Sequence, residues 1–327
     1  MLPAPEVCYI PSTRMVRDYG PAELQFDERI RLATLHAQDL GTFFDYGGIS
    51  TMAVFDGAKD LAGTKWDVPD LAAGRGLDGA KLDGGEIASS VMQRYVEDNP
   101  AAVGIPLVSD LNQALLETYR EIGLAVDHEH REKLFTGYIG HVRITPETVT
   151  VTGVGDVRVQ INGKLVVGVE KEIDRLYFAI IAAAATALRR DRQEIYQTLM
   201  PVLNLHQFKF QNYVRMNGRE LTQFWSWLTT QVSGLLDVSY RRAQELVEPH
   251  INENSPVWYP AIDGTATPDA GVQVATLARD GLKTIVVHTD GFEPLAAGHA
   301  VRSLRDLKPV NPDYSEQLAM VLDLTSA

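Results

Sequence analysis

Gly137–Val169 reads GYIGHVRITPETVTVTGVGDVRVQINGKLVVGV. Val and Ile crowd this stretch, and Thr145-Pro146-Glu147, Gly155-Asp156 and Asn162-Gly163 interrupt it. Short β-branched runs bounded by such breaks are strands, and Asn-Gly is the strongest short hairpin signal. The expectation is four strands, 137–144, 149–153, 157–161 and 164–169, in an antiparallel meander. Upstream, Ser50–Phe55 (STMAVF) is another apolar β-favouring run, expected to stop at the turn dipeptide Asp56-Gly57. Downstream, Val272–Leu277, Thr284–Thr289 and Gln317–Leu324 are strand-like.

Helical spacing fills the intervals. Glu86–Asp98 and Ser109–Val126 carry it, with Ser109 as the expected N-cap of the second. Arg175–Leu203 and Glu220–Val247 read as two long helices, the latter with Phe224, Trp225, Trp227 and Leu228 on an apolar side. Arg189–Arg192 closes an apolar run where cations meet a helix C-terminus. Ala58–Gly85, with six Gly and five Asp and almost no periodicity, reads as a loop. Residues 1–30 read as a Pro-punctuated arm with a first edge strand. The order strands, helices, strands excludes a doubly wound βαβ sheet and leads to an α+β layered sandwich.

The chain has 327 residues, 45% hydrophobic and 22% charged, which places it among globular proteins. Its net charge of −13 repels phosphate backbones and anionic lipid, so nucleic-acid and membrane-surface binding are disfavoured. The most apolar run, Leu176–Leu188, is thirteen residues and too short to span a bilayer. One cysteine, Cys8, excludes an internal disulfide and fits a reducing compartment. A cytoplasmic protein is expected.

Three apolar runs each deliver an acid beside a glycine: Val54-Phe55-Asp56-Gly57, Val154-Gly155-Asp156-Val157 and Thr289-Asp290-Gly291. Asp39 follows a mixed stretch, LATLHAQ. Hard divalent cations take several carboxylate oxygens, and glycine lets a carbonyl approach the ion. Any one corner is ordinary turn chemistry. Three such corners at strand ends, with Asp39 as a fourth acid, make a candidate metal site. His128-Glu129-His130 sits in a charged run and reads as a solvated segment. His288 reads as a satisfied core histidine, and His36 as a site-lining residue through its nearness to Asp39.

In order along the chain, AVFDG (53–57), GGEIAS (84–89), VTGVGDVRVQINGKL (151–165), YPAIDG (259–264), TIVVHTDGF (284–292) and SEQLAMVL (315–322) resemble the metal-dependent protein phosphatases of type 2C. The resemblance implies a single domain over 1–327, a four-layer α-β-β-α sandwich of two antiparallel sheets flanked by helices. A loop insertion at about 58–83 and a helical elaboration at about 195–255 would shape partner choice. It implies two Mg²⁺ or Mn²⁺ ions, with a third, weaker one, and a phosphorylated protein substrate served by a cognate Ser/Thr kinase system. Asp56 would bridge the ions, the Gly57 carbonyl and Asp290 would each hold one, and Asp39 would act from behind the ligands or as a ligand through water. Asp156 would serve the weaker ion. The departures are specific. The phosphate-binding arginine expected before Asp39 falls near Thr34, leaving Arg31 as the candidate. The last metal position aligns with Ser315, so Glu316 or Asp313 is the alternative acid. A catalytically impaired pseudophosphatase scaffold is therefore the alternative reading.

Overall fold

The computed structural model describes residues 2–10, 34–58, 64–126, 133–168, 172–199, 218–250, 260–265, 267, 269–289, 303–307 and 317–325. The chain divides into two compact units, 1–169 with 261–327, and 170–260.

The first unit holds the strands. β1 (Glu6–Ile10), β8 (Arg158–Ile161), β9 (Lys164–Val167), β11 (Thr284–His288) and β12 (Gln317–Asp323) form one antiparallel sheet, in the order β1-β12-β11-β8-β9. β2 (Leu40–Tyr46), β3 (Ile49–Ala58), β6 (Thr136–Ile144), β7 (Thr148–Val154) and β10 (Gln273–Ala278) form the other, in the order β10-β7-β6-β3-β2. A two-stranded ribbon of β4 (Lys65–Trp66) and β5 (Leu82–Asp83) stands apart. The expected α+β sandwich of two antiparallel sheets is what forms.

The sheets meet through glycines. A Cβ at Gly140 would lie 2.6 Å from Val157 and 2.9 Å from Val287 across the gap, and one at Gly153 would lie 2.8 Å from Val167. Gly41 is in the same position against Met320 and Leu318. On the outer face of the second sheet lie α2 (Gly84–Asp98) and α3 (Gly104–Glu121). Ile87, Ala88, Met92, Leu107, Leu111 and Leu115 from these helices join Ala53, Phe55, Ile139 and Val154 from the sheet in one buried cluster. Tyr119 closes it, its ring centroid 4.5 Å from that of Phe135 at a 55° tilt and its hydroxyl donating to the Phe135 carbonyl at 2.6 Å. On the outer face of the first sheet, Val286, Ala319 and Val321 pack with Leu307.

Several elements depart from the sequence expectation. The four central strands are not one meander. β6 pairs with β7 and β8 with β9, but the chain changes sheets at Gly155–Val157, where Gly155 has φ +84°. β3 does not stop at Asp56-Gly57, because β6 continues to pair with both residues. α3 begins at Gly104, with Val103 as an N-cap that has no side-chain bond, so Ser109 lies inside the helix. Pro106 falls in its first turn, where a missing N–H costs nothing. Ala58–Gly85 is not a plain loop, since it contains β4, α1 (Pro69–Gly74) and β5.

The second unit is helical: α4 (Glu172–Leu188), α5 (192–199), α6 (Gly218–Leu236) and α7 (Tyr240–Val247). It has its own core, including Tyr177, Ile181, Ile195, Phe224, Leu228 and Val247. Each expected long helix is two. Arg189 (φ +52°) and Asp237 (φ +53°) enter the left-handed region that ends a helix, and Ser239 caps α7 by accepting from the Arg242 N–H. Among the described residues no helix is long and apolar enough to cross a membrane.

His141 on β6 is 1% exposed, and its pKa is pushed down to about 4, first by burial and then by the Arg143 charge. Its contribution to stability is therefore complete above the unfolded-state value of 6.5. As pH falls from there toward 4, the unfolded chain takes up a proton that the folded chain refuses, and stability drops. By pH 4 the loss approaches about 3 kcal/mol. Urea midpoints between pH 7 and 4.5 should fall more steeply for the native chain than for His141→Gln.

Candidate metal centre

β2 and β3 pair with Leu40 opposite Phe55 and Gly41 opposite Val54. Just before β2, the Gly57 N–H donates to the Gln38 carbonyl at 3.1 Å. Asp39 therefore lies between Gln38, held to Gly57, and Leu40, the register partner of Phe55, which brings its backbone beside that of Asp56. Strand alternation puts Asp56 on the Gly41/Val54 side of the sheet, which packs toward Leu318 and Met320 of β12. Asp39 is 5% exposed and Asp56 is half-buried. Two carboxylates separated in sequence by a hairpin are thus brought to one end of the sandwich, between the sheets.

Asp156 lies at the same end. It is buried on the crossover from β7 to β8, beside Gly155, whose Cβ would meet the ring of Tyr138 at 2.5 Å. Tyr138 is the register partner of Asp56. On the facing sheet, the Thr289 N–H donates to the Leu318 carbonyl at 3.0 Å, and the Leu318 N–H donates back to Thr289 Oγ1 at 3.1 Å. Residues 290–302 and 308–316 lie outside the described residues. Asp290, Glu316, Ser315, Asp313, Arg31 and His128-Glu129-His130 lie outside the described residues. Among the described residues, no three of His, Cys, Asp or Glu gather closely enough to hold a metal ion.

The segment leading to Asp39 is held against the start of α2. Asp83 caps that helix: its Oδ1 accepts from the Glu86 N–H at 3.0 Å, and Glu86 Oε2 accepts from the Asp83 N–H at 2.6 Å. Asp83 Oδ2 also accepts from Gln38 Nε2 at 2.7 Å. Glu86 Oε1 lies 2.6 Å from His36 Nδ1. His36 thus meets the buried Glu86 on α2. His288 is fully buried with Nδ1 2.8 Å from the Thr289 carbonyl, and burial above all holds its pKa down to about 4. It is a core histidine bonded through Nδ1. Gly57 and Gly85 touch through their backbones. A Cβ at Gly57 would stand 2.2 Å from the Gly85 carbonyl oxygen and 2.7 Å from that of Gln38.

Sequence reasoning did not single out Gln38, Arg75, Asp83 or Glu86. Asp83 and Glu86 carried a signal, the Asp-x-x-Glu spacing of a capping box. Gln38 and Arg75 carried none, because their partners are remote in the chain. Asp83→Ala should cost about 1–2 kcal/mol in thermal or urea unfolding, since it removes the helix cap together with the Gln38 contact.

Neither a family model nor a curated protein matches the sequence. Among solved structures, the chain is similar to a bacterial serine phosphatase at 10% identity and TM-score 0.45, covering 98% of this chain and 97% of that one. It is also similar to the serine/threonine phosphatase Stp1 from Staphylococcus aureus, at 9% identity and TM-score 0.42, covering 99% and 95%. For the Mycobacterium tuberculosis serine/threonine phosphatase PstP/Ppp the values are 10%, 0.40, 98% and 97%. Likeness at this level is loose and does not say which residues do the chemistry.

Proposed function

We propose that the protein is a metal-dependent phosphomonoester hydrolase acting on phosphoserine or phosphothreonine in a protein substrate. One observation carries the reading: the Gln38–Gly57 hydrogen bond and the Leu40–Phe55 pairing bring the chain at Asp39 beside the chain at Asp56, at the end of the sandwich. Carboxylate oxygens are the donors that Mg²⁺ and Mn²⁺ take, so the residues present fit such an ion in kind. Asp56, the Gly57 carbonyl and Asp39 would hold it, with Asp290 and Glu316 completing the set and Asp156 serving a weaker ion. When bound, the ions supply activation of the attacking water and neutralisation of phosphoryl charge.

The protein's own part is placement. β3 and the Gln38–Gly57 hydrogen bond set the separation of the two carboxylates, while Asp83 and Glu86 hold the segment that carries Asp39. No nucleophilic side chain is required. Arg31 is the candidate for the substrate phosphate. The single cysteine and the acidic balance support a cytoplasmic enzyme serving a kinase-phosphorylated partner.

A non-catalytic scaffold is the second reading, and Arg75 favours it. That guanidinium, beside the Asp39 segment, is committed to backbone carbonyls and Ser90, so it does not replace the missing phosphate clamp. The deciding experiment is hydrolysis of p-nitrophenyl phosphate and of a phosphothreonine peptide with Mn²⁺, with and without chelator. Turnover that chelator abolishes and Mn²⁺ restores supports the enzyme. Mn²⁺ binding without turnover supports the scaffold, and absence of both overturns the metal reading.

A further inference from the structure

Arg75 is the residue at the C-cap of α1, inside the excursion that separates Gly57 from Gly85. Its guanidinium reaches two elements, segment 34–39 and α2. Nε donates to the Leu35 carbonyl at 3.2 Å, and Nη2 donates to the Ala37 carbonyl. Nη1 donates to the Glu86 carbonyl at 3.2 Å and to Ser90 Oγ at 2.7 Å. All three guanidinium nitrogens therefore point into the seam between segment 34–39 and α2. Arg94 also holds α1, donating from Nη2 to the Asp70 carbonyl at 3.2 Å, and among the described residues it makes no bond to segment 34–39.

We infer that Arg75 is a positioning residue for the metal centre: its fork ties the chain two residues before Asp39 to the first turns of α2, and so sets where the Asp39 carboxylate meets Asp56. The inference rests on the metal reading proposed above. The geometry explains why an arginine is needed. A guanidinium presents planar donors in fixed directions, whereas an ammonium is a point charge that cannot span carbonyls on opposite sides of a seam. The Ala37 carbonyl is bonded directly before Gln38, and the Gln38 carbonyl accepts from Gly57. Loosening Arg75 therefore loosens the segment that the Gln38–Gly57 hydrogen bond holds beside Asp56. The excursion 58–85 then acts as a brace for the site, beyond any part it plays in choosing a partner.

Removal of such outer contacts typically weakens metal binding about 10–100-fold. The test uses the full chain, with Mn²⁺ as the probe, followed by calorimetry and by electron paramagnetic resonance of the free ion. Arg75→Gln is compared with Arg75→Lys, which keeps the charge without the fork, and with Arg94→Gln. Amide exchange at Gly57 is measured on the metal-free proteins. The expected result is about 10–100-fold weaker Mn²⁺ binding in both Arg75 variants, faster exchange at Gly57 with core strand amides unchanged, and native behaviour in Arg94→Gln. If Arg75→Gln fails to fold, Arg75→Lys carries the comparison. Native Mn²⁺ affinity in a folded Arg75 variant overturns the inference while leaving the metal reading in place. Failure of the native chain itself to bind Mn²⁺ overturns both, and native Gly57 protection in the variants overturns the brace independently of any metal.

Discussion

Asp56→Asn is expected to abolish Mn²⁺-dependent phosphomonoester hydrolysis, lowering kcat/KM by about a thousandfold or more, the scale of several kcal/mol of charge stabilisation. The substitution is nearly isosteric, and the backbone of residue 56 stays paired with Tyr138, so the fold should survive. A second readout separates this from general damage. Saturating Mn²⁺ should raise the unfolding midpoint of the native chain, because an ion that binds only the folded state stabilises it by mass action, and should leave that of the variant nearly unchanged. A stability gain on adding metal in the native chain alone is the signature. Equal stability of the two proteins in both conditions, with activity retained, would remove Asp56 from the centre.

Gly57→Ala should be the most damaging single methyl group in the region. Its Cβ would stand 2.2 Å from the Gly85 carbonyl oxygen and 2.7 Å from the Gln38 carbonyl oxygen, and both obstacles are backbone. Neither can swing aside, so β3, the start of α2 or segment 34–39 must move. Overpacking of this kind costs about 1–3 kcal/mol. It also opens the Gln38–Gly57 hydrogen bond, so Mn²⁺ affinity should fall with stability. Gly137→Ala is the control. Its Cβ would meet Met92 Cε at 2.1 Å, the far end of a flexible side chain, so it should be tolerated better despite an equally short contact. Urea unfolding of the two variants, with Mn²⁺ titration of each, measures both parts. A Gly57→Ala protein as stable as Gly137→Ala would mean that the backbone approach at Gly85 is soft.

Both predictions turn on a register that the sequence shows only in part. The strand character of 137–144 and 284–289 was legible because β-branched residues cluster there between turn residues. The segregation of those strands into two sheets was not. Gly155 and Asp156 look the same in a sequence whether they close a hairpin or carry the chain across a sandwich. At Asp56-Gly57 the local rule pointed to a turn, yet the dipeptide stays extended because Gln38 and Gly137 offer partners on both sides. Similarly, α3 starts at Gly104, five residues before the serine that local chemistry favours as a cap, because its first turn packs on the sheet: a Cβ at Gly104 would touch Val274, and the Gly104 N–H donates to Thr152 Oγ1 at 2.8 Å.

The sequence by itself determined the kind of protein this is: strand-rich ends around a helical middle, an acidic balance, and carboxylates delivered beside glycines at the ends of apolar runs. These are local properties, set by side-chain shape, turn preference and charge, and they need no knowledge of what lies across the fold. Only the tertiary structure decided which acids meet. Asp39 comes beside Asp56 because β2 pairs with β3 in one register and not the next, and Arg75 ties the segment before Asp39 to α2 because α1 folds back over a seam made by residues 35–37 and 86–90. A pairing register is chosen by the whole buried face at once. A one-residue slip would turn every core side chain of β2 to the wrong side, and that collective choice is written in no single stretch of the chain.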